Sequence, residues 1–334
     1  MLQYEIFKWS EISSVYFGGS LLLGNGASMS VDSRFGYSSL VDHAYQHNLL
    51  NEDIQKLFKF FKTNDFELIL RLVWQASNVN RSLGIHDERT HQAYIRVREC
   101  LIKSVRSIHP EYTEISRHLP VIYNFIRDFD TVISLNYDLI LYWTIMYGRG
   151  VNDNHAVKDC FPDGRFYDNW RYLRKPIYNE RSTTLVFYPH GSLVLARDNV
   201  ESESKVISNE RNLLESILQQ WQSESVVPLF VSEGTSSQKV NSIRSSNYLN
   251  TVHREVLTGL GSHLVIYGWG LGEQDSHILE RLSSSWVRRV AVSVYGNDQA
   301  YCHRVFNQIH QKLGHHVTVE FFQSDSPGCW NIVA

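Results

Sequence analysis

Seven short runs of nearly continuous apolar residues punctuate the chain, at 20–23, 131–135, 184–188, 226–231, 263–267, 289–295 and 317–322. Strands with one face in solvent alternate polar and apolar residues, whereas parallel strands covered on both faces do not. The pattern therefore predicts a doubly wound, Rossmann-like parallel sheet of the α/β class. In such sheets, ligands meet the loops beyond the carboxyl ends of the strands. Between the first two runs the spacing becomes helical, with Ile54, Leu57, Phe58 and Phe61, then Phe66, Ile69, Leu70 and Val73, and a further stretch at 95–108. This predicts a helical insertion over about 38–128. Residues 148–181 are rich in aromatic, Asn, Asp and Arg residues without clear period and read as a loop-rich subdomain. The polar stretch 201–211 reads as a loop. Residues 1–334 are expected to form a single ligand-binding domain.

Composition narrows the function classes. Lysine plus arginine (32) nearly balance aspartate plus glutamate (35), so no global field draws the chain to nucleic acid, and no direct nucleic-acid binding is expected. The four cysteines, Cys100, Cys160, Cys302 and Cys329, contain no Cys-x-x-Cys pair. That argues against a zinc ribbon and a disulfide framework, so no zinc is expected. Met1 to Ser10 lack a basic segment followed by an apolar one, and no long apolar run occurs later. Neither export nor membrane spanning is expected, and a reducing cytoplasm fits.

The candidate chemistry sits where the runs end. The first enters Gly24-Asn25-Gly26-Ala27-Ser28, where glycines permit a tight turn and let backbone amides approach a phosphate at a helix start. The same sequence also suits an ordinary turn, and Met29 stands where the third glycine of a dehydrogenase fingerprint would fall. The second run ends in Leu135-Asn136-Tyr137-Asp138. Asn136 and Asp138, two apart, can present an amide and a carboxylate to one ligand; alternatively Asn136 closes a turn and Asp138 caps the next helix. The third run leads to His190-Gly191-Ser192-Leu193, a histidine whose ordinary pKa of about 6.5 suits a general base, followed by a glycine that leaves room for substrate. Gly268-Trp269-Gly270-Leu271-Gly272 follows the run at 263–267, with Asp275 either bracing that loop or capping a helix. Asn297 and Asp298 lie beyond the run at 289–295, able to meet a ribose or to form a turn.

In order, these motifs resemble the sirtuin-like superfamily, whose members carry Gly-Ala-Gly-Ala-Ser, Gln-Asn-Ile-Asp, His-Gly and Gly-Thr-Ser. The resemblance implies NAD as substrate. It assigns Gly24, Gly26, Ala27 and Ser28 to the phosphates, Asn136 and Asp138 to the nicotinamide ribose, and His190 to catalysis. Gly268, Gly270 and Asn297 fall to the adenosine half. Another glycine turn, Ser232-Glu233-Gly234-Thr235-Ser236-Ser237-Gln238-Lys239, competes for the phosphate role; the later loop is favoured because its strand reads as longer and its Gly-x-Gly repeats the family pattern. The Pro-Asp-Phe-Arg stretch of sirtuin deacetylases is replaced by Asp32-Ser33-Arg34-Phe35, and their four-cysteine zinc module has no counterpart.

The pattern looks closer to the bacterial sirtuin-like proteins of anti-phage systems, which hydrolyse NAD. The expected activity is NAD glycohydrolysis, with Asn136 and His190 as catalytic residues. The resemblance implies a role in abortive infection and a hexameric motor ATPase of the HerA type as partner. A homo-oligomer is expected from the aromatic-rich helical insertion and from the need to restrain a toxic activity. The alternatives are an NAD-dependent ADP-ribosyltransferase or deacylase, and a non-catalytic subunit that senses NAD or ADP-ribose.

Overall fold

A computed structural model describes residues 3–36, 39–208, 210–231 and 233–333. Ser38, where the helical segment is expected to open, lies outside them, as do Asn209 of the 201–211 stretch and Ser232 beside the Gly234 turn. The strands are β1 (Ile6–Phe7), β2 (Ser20–Leu23), β3 (Thr131–Ser134), β4 (His155–Lys158), β5 (Ser182–Phe187), β6 (Gly191–Asp198), β7 (Glu203–Lys205), β8 (Val226–Phe230), β9 (His263–Tyr267), β10 (Arg289–Val294) and β11 (Thr318–Gln323). Eight of them form one sheet in the order β1-β11-β10-β9-β2-β3-β5-β4, and each pairing is parallel. Residues 20–23 and 131–134 are all buried, which explains why their sequences are continuously apolar.

The chain runs outward from β2 through β3 on one side and returns to β9 on the other. The order therefore reverses between β2 and β9, the kind of crevice where α/β sheets hold ligands. Helices occupy the chain between β2 and β3, including Glu52–Phe61, Phe66–Ser82 and Glu88–Ile108. Their apolar stripes, among them Ile54, Phe58, Phe66, Ile69, Leu70 and Val73, are buried. Asn51, Asp65 and Asp87 cap their N-termini, accepting from Ile54, Leu68 and Thr90, so local chemistry and burial agree on the boundaries.

One run belongs elsewhere. Residues 226–230 form β8 of a separate antiparallel sheet, β7-β6-β8. Helices Phe66–Ser82 and Leu213–Gln222 pack against β8, so all five of its residues are buried, and burial leaves the same continuous apolar signature as a parallel strand. The stretches expected as loops also contain strands: β4 lies within 148–181 and β7 within 201–211.

Residues far along the chain close over its beginning. The Trp330 indole N–H donates to the Ala27 carbonyl at 2.9 Å, and its ring lies against Tyr267 and Phe125. The four cysteines are buried and free. Among the described residues, no helix is long and apolar enough to cross a membrane.

Candidate functional site

A cavity of about 690 Å³ opens at the carboxyl ends of β2, β3 and β9. It receives Gly24–Gly26 from the first strand end, Leu135–Asp138 from the second and Gly268–Gly272 from β9. His190 beyond β5 and Val231, Glu233 and Gly234 beyond β8 complete that side, with Lys239 and Asp275. Both glycine turns that compete for a phosphate line it. The length argument for the later one does not hold, because β8 and β9 are five residues each.

The glycine loops at Gly24 and Gly268 are packed against each other. A Cβ on Gly24 would stand 2.5 Å from the Trp269 Cα, and one on Gly26 would stand 2.8 Å from the Gly268 carbonyl. The Gly24 amide donates to Tyr267 O, Gly26 to Gly268 O and Ala27 to Gly24 O. The close approach that these glycines permit is thus to a neighbouring loop, and their amides already hold carbonyls. This corrects the expectation that the amides of Gly24, Gly26 and Ala27 face a phosphate.

Asn136, Asp138 and Ser28 form one hydrogen-bonded unit. The Asn136 side-chain amide donates to the Gly24 carbonyl at 2.9 Å and the Ser28 hydroxyl at 2.8 Å. Ser28 donates in turn to Asp138, which also accepts from the Ile140 amide at 2.9 Å as the helix Ile140–Arg149 begins. Burial pushes the Asp138 carboxyl above its ordinary pKa, against the pull of these bonds. Asn136, half-buried, is therefore a brace between two strand ends, a role beyond the ligand contact or turn that its sequence offered. Asn136→Ala is expected to lower stability by about 1–3 kcal/mol, because it removes the two hydrogen bonds that tie the strand ends together. Chemical denaturation checks this, and an unchanged midpoint would show that neither bond matters.

His190 is 2% exposed. Its Nε2 lies 3.0 Å from Nε2 of His277 and 3.9 Å from Oδ1 of Asp275. Burial, with the nearby Lys239 ammonium, lowers its pKa to about 3 despite the opposing Asp275. A base titrating near 6.5 is thereby corrected: this imidazole stays neutral far into acid. Gly191, with φ +75, has its Cβ direction blocked by the Leu229 carbonyl at 2.2 Å. It lets β6 start against β8, which replaces its expected role of leaving room for substrate.

Three members of this cluster were given no individual role from sequence. The Lys239 ammonium lies 2.8 Å from Asp275 Oδ1, and His277 is lowered to about 4 chiefly by burial. Glu233, whose carboxylate accepts from the amides of Leu40 and Val41, is raised to about 7 by burial. His277, two residues after Asp275, was the most legible of them, since it opens a helix just beyond a glycine loop. Asn297 is not brought to the cavity: it is exposed and accepts from its neighbour Gln299. Gly270 does line it.

Candidate ligand atoms of His190, Asp275 and His277 all lie within 4.8 Å of one another, close enough for a cation in principle. Asp275 Oδ1, however, already holds the Lys239 ammonium, which neutralises the carboxylate and adds a repelling charge beside any metal.

A family model described as "Domain of unknown function (DUF4917)" matches residues 21–330. No curated protein matches the sequence. Among solved structures, the chain is similar to one described as "Structural Basis for the Mechanism and Regulation of Sir2 Enzymes", at 8% identity and a TM-score of 0.34, over 90% of this chain and 98% of that one. A likeness at that level carries no argument about activity.

Proposed function

Because the chain belongs to the DUF4917 family, whose description names no activity, we propose from the site itself that this protein binds NAD and cleaves its nicotinamide–ribose bond, yielding nicotinamide and ADP-ribose. The observation that carries the reading is convergence. Asn136, Asp138, His190 and the glycine loops, the short motifs that resemble sirtuins in sequence, meet in one cavity. Its volume of about 690 Å³ lies within the usual range for small-molecule and cofactor sites.

The charge of the lining suits this chemistry. Nicotinamide leaves a cationic pyridinium as a neutral molecule, so the protein needs chiefly to hold the ribose and stabilise positive charge growing on it. The described lining residues include the carboxyl groups of Asp42, Asp138, Glu233 and Asp275 against one ammonium, Lys239. Trp269, Phe35 and Tyr137 offer flat apolar walls for the ring systems. His190, neutral at physiological pH, keeps a lone pair that can orient water or accept from a ribose hydroxyl, and Asp275 lies 3.9 Å from its Nε2. Asn136 would position the ribose from the frame that it already braces.

The expected result with purified protein is stoichiometric release of nicotinamide and free ADP-ribose from NAD, followed by mass spectrometry. ADP-ribose appearing only on an added acceptor would replace hydrolysis with transfer. Saturable NAD binding without turnover would replace the enzyme with a sensor. The same reading includes NAD depletion in anti-phage defence, restrained by self-association or by a partner such as a HerA-type motor ATPase. Light scattering tests the self-association.

A further inference from the structure

We propose that His277 is a positioning residue for His190: it donates its Nε2–H to the Nε2 lone pair of His190 and so holds that imidazole, before substrate arrives, in the Nδ1–H tautomer that a base requires. The inference rests on the NAD-cleaving reading for its kinetic consequence, but the tautomer itself follows from hydrogen-bond bookkeeping.

The Leu135 backbone acts on His190 as a hydrogen-bond acceptor, and since Nε2 faces His277, the nitrogen left to meet it is Nδ1; a hydrogen there leaves the neutral ring a lone pair on Nε2. Two lone pairs 3.0 Å apart would repel, so the hydrogen between the rings belongs to Nε2 of His277. That leaves Nδ1 of His277 as an acceptor, and the Ser236 hydroxyl lies 3.2 Å from it. Ser236 can fill this role because its oxygen already accepts the backbone N–H of His277 at 3.2 Å, leaving its hydrogen to point at the ring. Every contact in the series Ser236, His277, His190, Leu135 then has one donor and one acceptor, and the opposite arrangement would turn a lone pair of His190 toward the Leu135 carbonyl.

The surroundings favour this neutral arrangement. Lys239 stands beside the pair with Asp275, and both charges act on His190 and His277. Glu280 and His253 also act on His277, with the His253 ring centroid 6.0 Å from its own. Ser236 and Lys239 sit on the helix Ser236–Arg244, directly after the Gly234 turn, so this turn reaches the catalytic histidine through His277. A ribose hydroxyl entering the cavity can replace His277 as the donor to His190 without any change of tautomer.

Two substitutions separate positioning from packing. His277→Gln keeps an N–H donor near the Nε2 position, whereas His277→Phe keeps a ring and removes the donor. Expected are near-normal NAD cleavage for Gln and a fall in kcat of about tenfold or more for Phe, with KM changed much less. Long-range ¹⁵N–¹H NMR of the wild type should show His190 as the Nδ1–H tautomer, and the Phe variant should show this preference weakened. Three results would overturn the proposal: His190 observed as Nε2–H in the wild type, a folded Phe variant with unchanged kcat, or a stoichiometric divalent metal that is lost in His277→Gln. If the wild type does not cleave NAD, the proposed function fails while the NMR measurement still decides the tautomer.

Discussion

His190→Ala is expected to reduce NAD hydrolysis by about two to four orders of magnitude while NAD still binds, because the cavity walls and loops remain. The variant should also be less stable, since the truncation strips a partner from His277 and from the Leu135 carbonyl. The pH dependence separates catalysis from architecture. With a folded pKa of about 3, below the ordinary 6.5, His190 binds fewer protons folded than unfolded between those values. Its contribution to stability is therefore fully present above about pH 6.5 and is lost as pH falls toward 3. His253 and His277, both lowered to about 4, act in the same direction. The wild type should thus lose stability on acidification below about pH 6.5, and His190→Ala should lose it less steeply. Catalysis by the histidine should show no limb near 6.5. A limb near 7 in the rate profile would belong to Glu233, which lines the cavity and titrates there. Calorimetric NAD titration, a nicotinamide-release assay and melts across pH measure all of this. A folded variant that hydrolyses NAD at the wild-type rate would remove His190 from the mechanism.

Gly268→Ala should be among the most damaging small substitutions in the chain. Gly268 has φ +67, and an added Cβ would lie 2.3 Å from the Ala27 amide nitrogen and 2.7 Å from the Gly26 carbonyl carbon. These are backbone atoms that no rotamer change can move. The left-handed backbone and the forced separation of the two loops together should cost roughly 2–5 kcal/mol. The Gly26 to Gly268 hydrogen bond would be lost with them. Gly270→Ala is the matched control: an added Cβ there meets nothing within 4 Å, so stability should change by less than about 0.5 kcal/mol. Because Gly270 lines the cavity, any effect of that control should fall on ligand affinity. Denaturant melts of the pair decide the matter, and equal midpoints would show that the loops do not need their close contact.

Apolar continuity identified the central parallel strands because burial on both faces is what produces it. The same signal misplaced 226–230, since β8 is equally buried in an antiparallel sheet, and composition cannot report the direction of a neighbour. β1, with two residues, and β7, with three, are too short to show any period. At the site, Asn136, Asp138 and His190 were legible because each lies just after a recognisable strand. Asp138 lines the cavity and accepts from the Ile140 amide, but the N-cap position of that helix belongs to Leu139. His277 and Lys239 were given no role because they sit on helices, where one His or Lys looks like any other until the fold brings it against a partner. The glycines were correctly singled out as places of close approach; sequence could not say that what approaches is another loop.

The brace from Trp330 to Ala27 spans 303 residues, and β2 has β9 as one of its two neighbours. During synthesis the first glycine loop leaves the ribosome long before either of them exists. Domains of this size generally complete their folding as a unit, so a partly made chain carries the motif without the cavity. Under the NAD-cleaving activity proposed above, the wiring of the sheet would act as a delay: no cavity able to take NAD forms until nearly all of these residues have been made and have folded back against β2.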